Sequence, residues 1–167
     1  MLSLRQMVLI KPDRAGNLTM PASTSPQLRI PASAPTHHTH LELRPAPSAV
    51  PAARHHTRAV LFAWGLGAIA DDVQLVVSEL VTNAIEATAS LPEPVPIELD
   101  IAEYPGQLLL QVCDASPDLP AQRQPDDTAP NGRGLHIINN LSSAWGYTRQ
   151  PQGKSVWASL GLTRPAA

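Results

Sequence analysis

The chain has 167 residues, enough for one domain of ordinary size with an extension, and its single cysteine, Cys113, excludes an intramolecular disulfide and a metal site built from cysteines. Its 12 Lys and Arg residues against 14 Asp and Glu give a net charge of −2, so the composition does not support direct binding of nucleic acid. Because no segment approaches the ~20 apolar residues that span a bilayer, and no signal-peptide core is present, we expect a cytoplasmic protein without a membrane partner.

Residues 1–37 differ in composition from the rest of the chain. Pro, Ala, Ser and Thr dominate this segment, and its apolar residues show little periodicity. Such a composition cannot bury enough apolar area to offset the entropy lost on ordering. We therefore predict a disordered extension over residues 1–37, a folded domain over residues 38–162 and a short tail over residues 163–167.

The first half of the domain is predicted to hold one edge strand, at THLELR, and two helices. The first helix is expected to run from a cap at Ser48 to about Trp64. The second begins where Asp71 and Gln74 resemble a capping box, and ends near Ser90. Its apolar residues recur at three- and four-residue spacing and form one buried stripe. The stripe consists of Val73, Val76, Val77, Leu80, Ala84 and Ala87.

The second half of the domain is predicted to hold two hairpins, separated by a loop and a short helix. VPIELDIAE and QLLLQVCD are joined by a sequence that fits a type II turn, with Pro105 and Gly106 at its centre. Four prolines mark residues 115–131 as a long loop, of the kind that often forms a lid. A short helix, LHIINNLS, then precedes strands AWGYTRQ and KSVWASL. This order predicts an α+β fold, with helices on one face of a mainly antiparallel sheet.

The second helix also carries a group of polar residues. At ~100° per residue, Glu79, Asn83 and Glu86 fall on one narrow face beside the apolar stripe. An amide oxygen can hold a hard cation such as Mg²⁺, and a carboxylate one turn away can orient or deprotonate a hydroxyl. The alternative interpretation is a solvated polar face, which any amphipathic helix has.

Two positions next to the long loop are further candidates for ligand binding. Asp114 closes an apolar strand, where its carboxylate can accept a hydrogen bond from an amino group or simply cap the turn. Gly132, Arg133 and Gly134 open the short helix, where free N–H groups and the helix dipole favour an anion. A flexible joint is the alternative for these glycines.

Four motifs, taken in chain order, resemble those of the GHKL ATPase superfamily, whose ATP site is the Bergerat fold: SELVTNA, VCDASP, NGRGLHII and GKSVWASL. Within it, they are most similar to the stand-alone anti-sigma-factor serine/threonine kinases of partner-switching regulators. The resemblance covers about residues 41–160. It implies a two-layer sandwich that binds ATP and Mg²⁺ and phosphorylates an anti-sigma-factor antagonist, with a sigma factor as a second partner. Kinases of this kind often pair with themselves, which leaves a homodimer open.

The resemblance also implies a role for each motif residue. Asn83 is expected to hold Mg²⁺ at the ATP phosphates, and Glu79 to act as the base for a serine hydroxyl of the partner. The adenine amino group is expected to bind Asp114, with a hydroxyl from Ser155 close by. Glycines 132 and 134, with the arginine between them, are expected to meet the phosphates.

The chain departs from the superfamily at the adenine motif. The superfamily pattern is Asp-x-Gly-x-Gly, whereas residues 114–118 of this chain read DASPD and contain neither glycine. This departure favours an alternative function, a non-catalytic or degenerate nucleotide-binding module that regulates by sequestering a partner. A stand-alone metal or redox protein is disfavoured, because one cysteine and scattered histidines do not form a convergent ligand set.

Overall fold

The structure is a computed structural model that describes residues 8–10, 33–118 and 134–162, the first of these as backbone alone. In these residues six antiparallel strands form one sheet, in the order β1-β5-β6-β4-β3-β2. The strands are β1 (Val8–Ile10), β2 (His37–Leu43), β3 (Ile97–Tyr104), β4 (Gln107–Asp114), β5 (Ala144–Gln150) and β6 (Gly153–Gly161). The helices are α1 (Ala49–Ala63), α2 (Ala70–Thr88) and α3 (Gly134–Leu141), with a short 3₁₀ helix at Gly67–Ile69. The predicted α+β class is confirmed.

The main core lies between the helices and one face of the sheet. Alternate residues of each central strand point into it, so that Leu99, Val112 and Val156 form one buried row across β3, β4 and β6. The apolar stripe of α2 covers this face, and its Leu80 is almost fully buried. Each such side chain contributes about 1.5–3 kcal/mol when removed from water. The core therefore fixes which side of α2 faces the sheet and which side is left for polar residues.

Histidines on the outer strand β2 pair with carboxylates of β3. His37 Nδ1 lies 2.6 Å from Glu103 Oε2, and His38 Nε2 lies 2.8 Å from Asp100 Oδ1. The His37 ring also stacks on Trp64, with ring centroids 5.2 Å apart. Among the described residues no group of three His, Cys, Asp or Glu side chains is placed to hold a metal ion. These histidines therefore join the edge strand to its neighbours.

The N-terminal segment differs from its prediction at Val8–Ile10 and at its last residue, His37. Val8–Ile10, which we assigned to a disordered extension, form β1 and pair with the outer edge of β5 at positions 145–147. A strand edge offers unpaired N–H and C=O groups to any short segment that can extend. His37, the last residue of that extension, is the first residue of β2 and pairs with Glu103. Residues 1–7 and 11–32 of the extension, and the tail over residues 163–167, lie outside the described residues.

The starts of the first two helices also differ from their predictions. Ser48 makes no side-chain capping hydrogen bond. The capping box predicted for α2 is wrong, because the N-cap is Ile69, two residues before Asp71. Gln74 Nε2 donates instead to the carbonyl of Ala70 at 3.1 Å. Two aspartates, Asp71 and Asp72, instead occupy the first turn, where the helix dipole favours negative charge. Of the helices in the described part of the chain, none has the length and apolar character needed to cross a bilayer.

Candidate functional site

The first polar cluster lies where α2 meets the N-terminus of α3. A Cβ atom built on Gly134 would lie 2.5 Å from Glu79 Oε2 and 3.8 Å from Asn83 Oδ1. The helices can approach this closely because position 134 carries no side chain. Ile138, fully buried one turn later, packs α3 into the main core and holds this approach. The structure thus brings together three residues that the sequence placed in two separate motifs.

Partial burial distinguishes this cluster from a solvated helix face. Glu79 and Asn83 are half-buried, whereas Glu86 is exposed. Burial raises the pKa of Glu79, and the negative charge of Glu86 raises it further. A carboxylate with a raised pKa is a better proton acceptor near neutral pH than an ordinary one. The cluster therefore combines an amide oxygen, a basic carboxylate and a helix N-terminus.

The second polar cluster is a buried ion pair at the end of β4. Lys154 Nζ donates to Asp114 Oδ1 at 2.9 Å, and the backbone N–H of Ser116 donates to the same oxygen at 2.9 Å. The two charged side chains are only 4% and 1% exposed. Asp114 Oδ2 is buried and has no hydrogen-bond partner among the described residues. Oδ1 of this carboxylate thus already accepts two hydrogen bonds, whereas Oδ2 is free to accept one from a ligand.

Burial and pairing act in opposite directions on this carboxyl group. Burial is the larger influence and raises the pKa of Asp114, while the Lys154 ammonium and the Ser116 N–H oppose it. Buried charges in proteins are tolerated only when paired in this way. The state of Asp114 therefore depends on Lys154.

Ser155 does not lie beside Asp114, contrary to the expectation from the sequence. In the β4–β6 ladder Asp114 is opposite Lys154, and Ser155 is opposite Cys113. Because successive side chains of a strand alternate between faces, the Ser155 hydroxyl points to the other side of the sheet. Sequence reasoning missed Lys154 because the motif GKSVWASL does not show which of its residues faces the helices. The signal that could have found it is the cross-strand register.

A glycine at the start of β6 holds the second cluster in place. Gly153 has φ of +134°, a conformation that L side chains rarely adopt. A Cβ atom there would collide with the backbone carbonyl oxygen of Asp114 and with Ala115. The backbones of β6 and of the residues after β4 therefore touch, which places Lys154 directly against the carboxylate.

The two clusters lie on the same side of the sheet. Asp114 and Lys154 continue the rows of Val112 and Val156, which face the main core beneath α2. Helix α2 packs directly against β4 and carries the first cluster on its flank. The predicted phosphate-binding residues Gly132 and Arg133, and most of the predicted lid, lie outside the described residues.

The residues in place fit an adenine nucleotide with Mg²⁺. Asn83 offers an amide oxygen, the kind of ligand that Mg²⁺ prefers. The unpartnered Oδ2 of Asp114 is an acceptor that suits an amino group. Gly134 begins α3, and the N-terminus of a helix is a place where phosphates bind.

Comparison with known families agrees with this geometry. The family described as the histidine kinase-like ATPase domain matches residues 43–160, which is more than half of the chain. The chain therefore belongs to the histidine kinase-like ATPase domain family, a class of ATP-binding domains that are often kinases or ATPases. No curated protein matches the chain.

Proposed function

We propose that the protein is an ATP- and Mg²⁺-dependent serine/threonine protein kinase that acts as an anti-sigma-factor-type regulator in a partner-switching pathway. The observation that carries the proposal is the meeting of Glu79, Asn83 and Gly134 at the junction of α2 and α3. Phosphoryl transfer needs a cation to neutralise phosphate charge and a carboxylate to orient the nucleophile. The junction holds the Glu79 carboxylate and the Asn83 amide oxygen, which can hold such a cation.

Four residues of the two clusters have distinct tasks in this proposal. Bound ATP with Mg²⁺ supplies the phosphoryl group and the charge that neutralises it. Asn83 Oδ1 serves as an oxygen ligand of the cation. Glu79 orients the serine hydroxyl of the partner protein and accepts its proton on the carboxylate. Asp114 Oδ2 accepts a hydrogen bond from the adenine amino group, and the N-terminus of α3 at Gly134 binds phosphate.

The partners in this proposal follow from the resemblance of the four motifs. The phosphorylated protein is an anti-sigma-factor antagonist that presents a serine, and a sigma factor is the second partner. Both would be met in the cytoplasm, where ATP is available. Binding of a second copy of the chain stays a separate expectation.

A phosphotransfer assay with a matched antagonist tests the proposal. We expect Glu79→Gln to bind ATP but to transfer phosphate 10²- to 10⁴-fold more slowly, on the order of what general base catalysis contributes. The matched control is Glu93→Gln, a substitution at an exposed carboxylate beyond the end of α2. Unchanged transfer in Glu79→Gln would remove the base that we assign.

A second candidate function is a nucleotide-binding or degenerate module that sequesters a partner without catalysis. It is favoured by the adenine motif, which lacks both glycines and holds a carboxylate already paired with Lys154. Calorimetric titration with ATP, with and without Mg²⁺, separates the candidates. Absence of binding indicates a degenerate module, and binding without phosphotransfer indicates a nucleotide-dependent binder.

A further inference from the structure

We propose that Lys154 is a positioning residue for recognition of the purine ring of the nucleotide. It keeps Asp114 ionised, with one carboxylate oxygen free to accept a hydrogen bond. The site thereby selects a 6-amino purine over a 6-oxo purine. This inference rests on the proposed binding of ATP, and it assigns the purine selectivity of that site to a residue that has no task in the proposed function. Lys154 acts only through Asp114.

The two oxygens of the Asp114 carboxylate have different hydrogen-bond partners among the described residues. Oδ1 receives the Lys154 ammonium and the Ser116 N–H, each at 2.9 Å. Because two donors bind Oδ1, the carboxylate cannot rotate freely, and Oδ2 is held in a single orientation. Oδ2 is buried and has no partner among the described residues. Since an ionised carboxylate can only accept, Oδ2 requires a ligand that donates.

Asp114 and Lys154 form a buried pair of opposite charges. Both side chains are almost completely removed from water, where a lone carboxylate is unfavourable and takes up a proton. Lys154, on β6, is the only charged side chain in the described part of the chain that pairs with Asp114. Arg149 lies opposite Lys154 on β5 but is exposed. Removal of the Lys154 ammonium therefore leaves the carboxyl group neutral.

A change in charge state alters which bases the site accepts. The 6-amino group of adenine donates a hydrogen bond, whereas the 6-oxo group of hypoxanthine accepts one. A carboxylate binds the first and repels the second. A neutral carboxyl group can donate or accept, so it tolerates both.

The test compares ATP with ITP, which share ribose and triphosphate and differ at the purine edge. Binding of each would be measured by calorimetry to the wild-type protein, Lys154→Met and Lys154→Arg. We expect the wild type to prefer ATP by about tenfold or more, which corresponds to one hydrogen bond to a charged group. Lys154→Met should lose most of this preference, and Lys154→Arg should keep it because the positive charge remains.

A second readout needs no nucleotide. The ¹³Cγ resonance of Asp114, assigned by its loss in Asp114→Asn, should report a carboxylate at pH 7 in the wild type and in Lys154→Arg. In Lys154→Met it should report a protonated group. A merely structural role of Lys154 would leave this resonance and the ATP-to-ITP ratio unchanged.

The outcomes separate this inference from the proposed function. If the wild type binds neither nucleotide, both fail. If the wild type prefers ATP and Lys154→Met keeps the preference or binds ATP more tightly, only the role of Lys154 is overturned. If Lys154→Met does not fold, the double variant Asp114→Asn, Lys154→Met removes both buried charges together. Its amide can turn to donate or accept, so retention of the ATP preference there would also overturn the inference.

Discussion

The two polar clusters are built in different ways. The cluster at the α2–α3 junction consists of side chains one helical turn apart, and the atom nearest to Gly134 is the far end of the Glu79 side chain. The cluster at the β4–β6 ladder depends on cross-strand register, and the atoms nearest to Gly153 are backbone. A flexible carboxylate can move by an ångström at little cost, whereas a paired backbone cannot. The first cluster should therefore fail in catalysis before it fails in folding, and the second in the opposite order.

The largest effect on stability is expected for Gly153→Ala. The new Cβ must move the backbone of Asp114 and Ala115 and also adopt an unfavourable φ. We expect a loss of about 3 kcal/mol or more in the free energy of unfolding, measured by urea denaturation. The matched control is Gly106→Ala, whose φ of +80° is also unfavourable but whose Cβ meets nothing within 4 Å. It should lose only about 1 kcal/mol; equal losses would show that close backbone contact is unimportant.

Gly134→Ala should have a small effect on folding and a larger one on phosphotransfer. The new Cβ displaces the Glu79 carboxylate, and misplacement of a reacting group by about 1 Å can cost up to about 10²-fold in rate. The free energy of unfolding should change by less than about 1 kcal/mol, because alanine is a good helix former. In a Glu79→Gln background the same substitution should cause little further loss of rate. A full additional loss there would show that the glycine acts independently of Glu79.

The smallest effect is expected in the pH dependence of phosphotransfer. Glu79 must be deprotonated to act as a base, so the rate should rise with pH through its raised pKa. Glu86→Gln removes the negative charge that is the smaller of the two causes of the raised Glu79 pKa; burial is the larger. The acidic limb of the pH–rate profile, where the rate rises with pH, should therefore move to lower pH by a modest amount. Glu93→Gln, an exposed carboxylate beyond α2, should leave the limb unchanged. A limb that does not respond to Glu86 would show that burial alone sets the pKa.

Titration of Glu79 should change the stability of the fold in the direction opposite to its effect on the rate of phosphotransfer. Because the folded-state pKa of Glu79 is raised, the folded protein holds this proton more tightly than the unfolded chain does. Its contribution to folding is full at low pH and is lost as the pH rises through the folded-state pKa. Activity and this part of the stability should therefore change in opposite directions over one pH range.

Local spacing allowed the first cluster to be predicted, and non-local register prevented prediction of the second. Glu79 and Asn83 share a helix face by periodicity alone, and α2 and the β3–β4 hairpin follow from their apolar patterns. The neighbour of Asp114 is Lys154, 40 residues further along the chain, and a motif does not encode the strand pairing that brings the two together. Strand β1 was missed because three apolar residues in a Pro- and Ser-rich segment gain order only from the edge of β5.

Gly153 also indicates how substitutions should be tolerated along the last hairpin. Its neighbours in the turn, Pro151 and Gln152, are exposed, so a saturation library should accept many amino acids at both positions. At position 153 the same library should return glycine almost alone. The position with the least freedom to vary would then be one that contributes no functional group of its own.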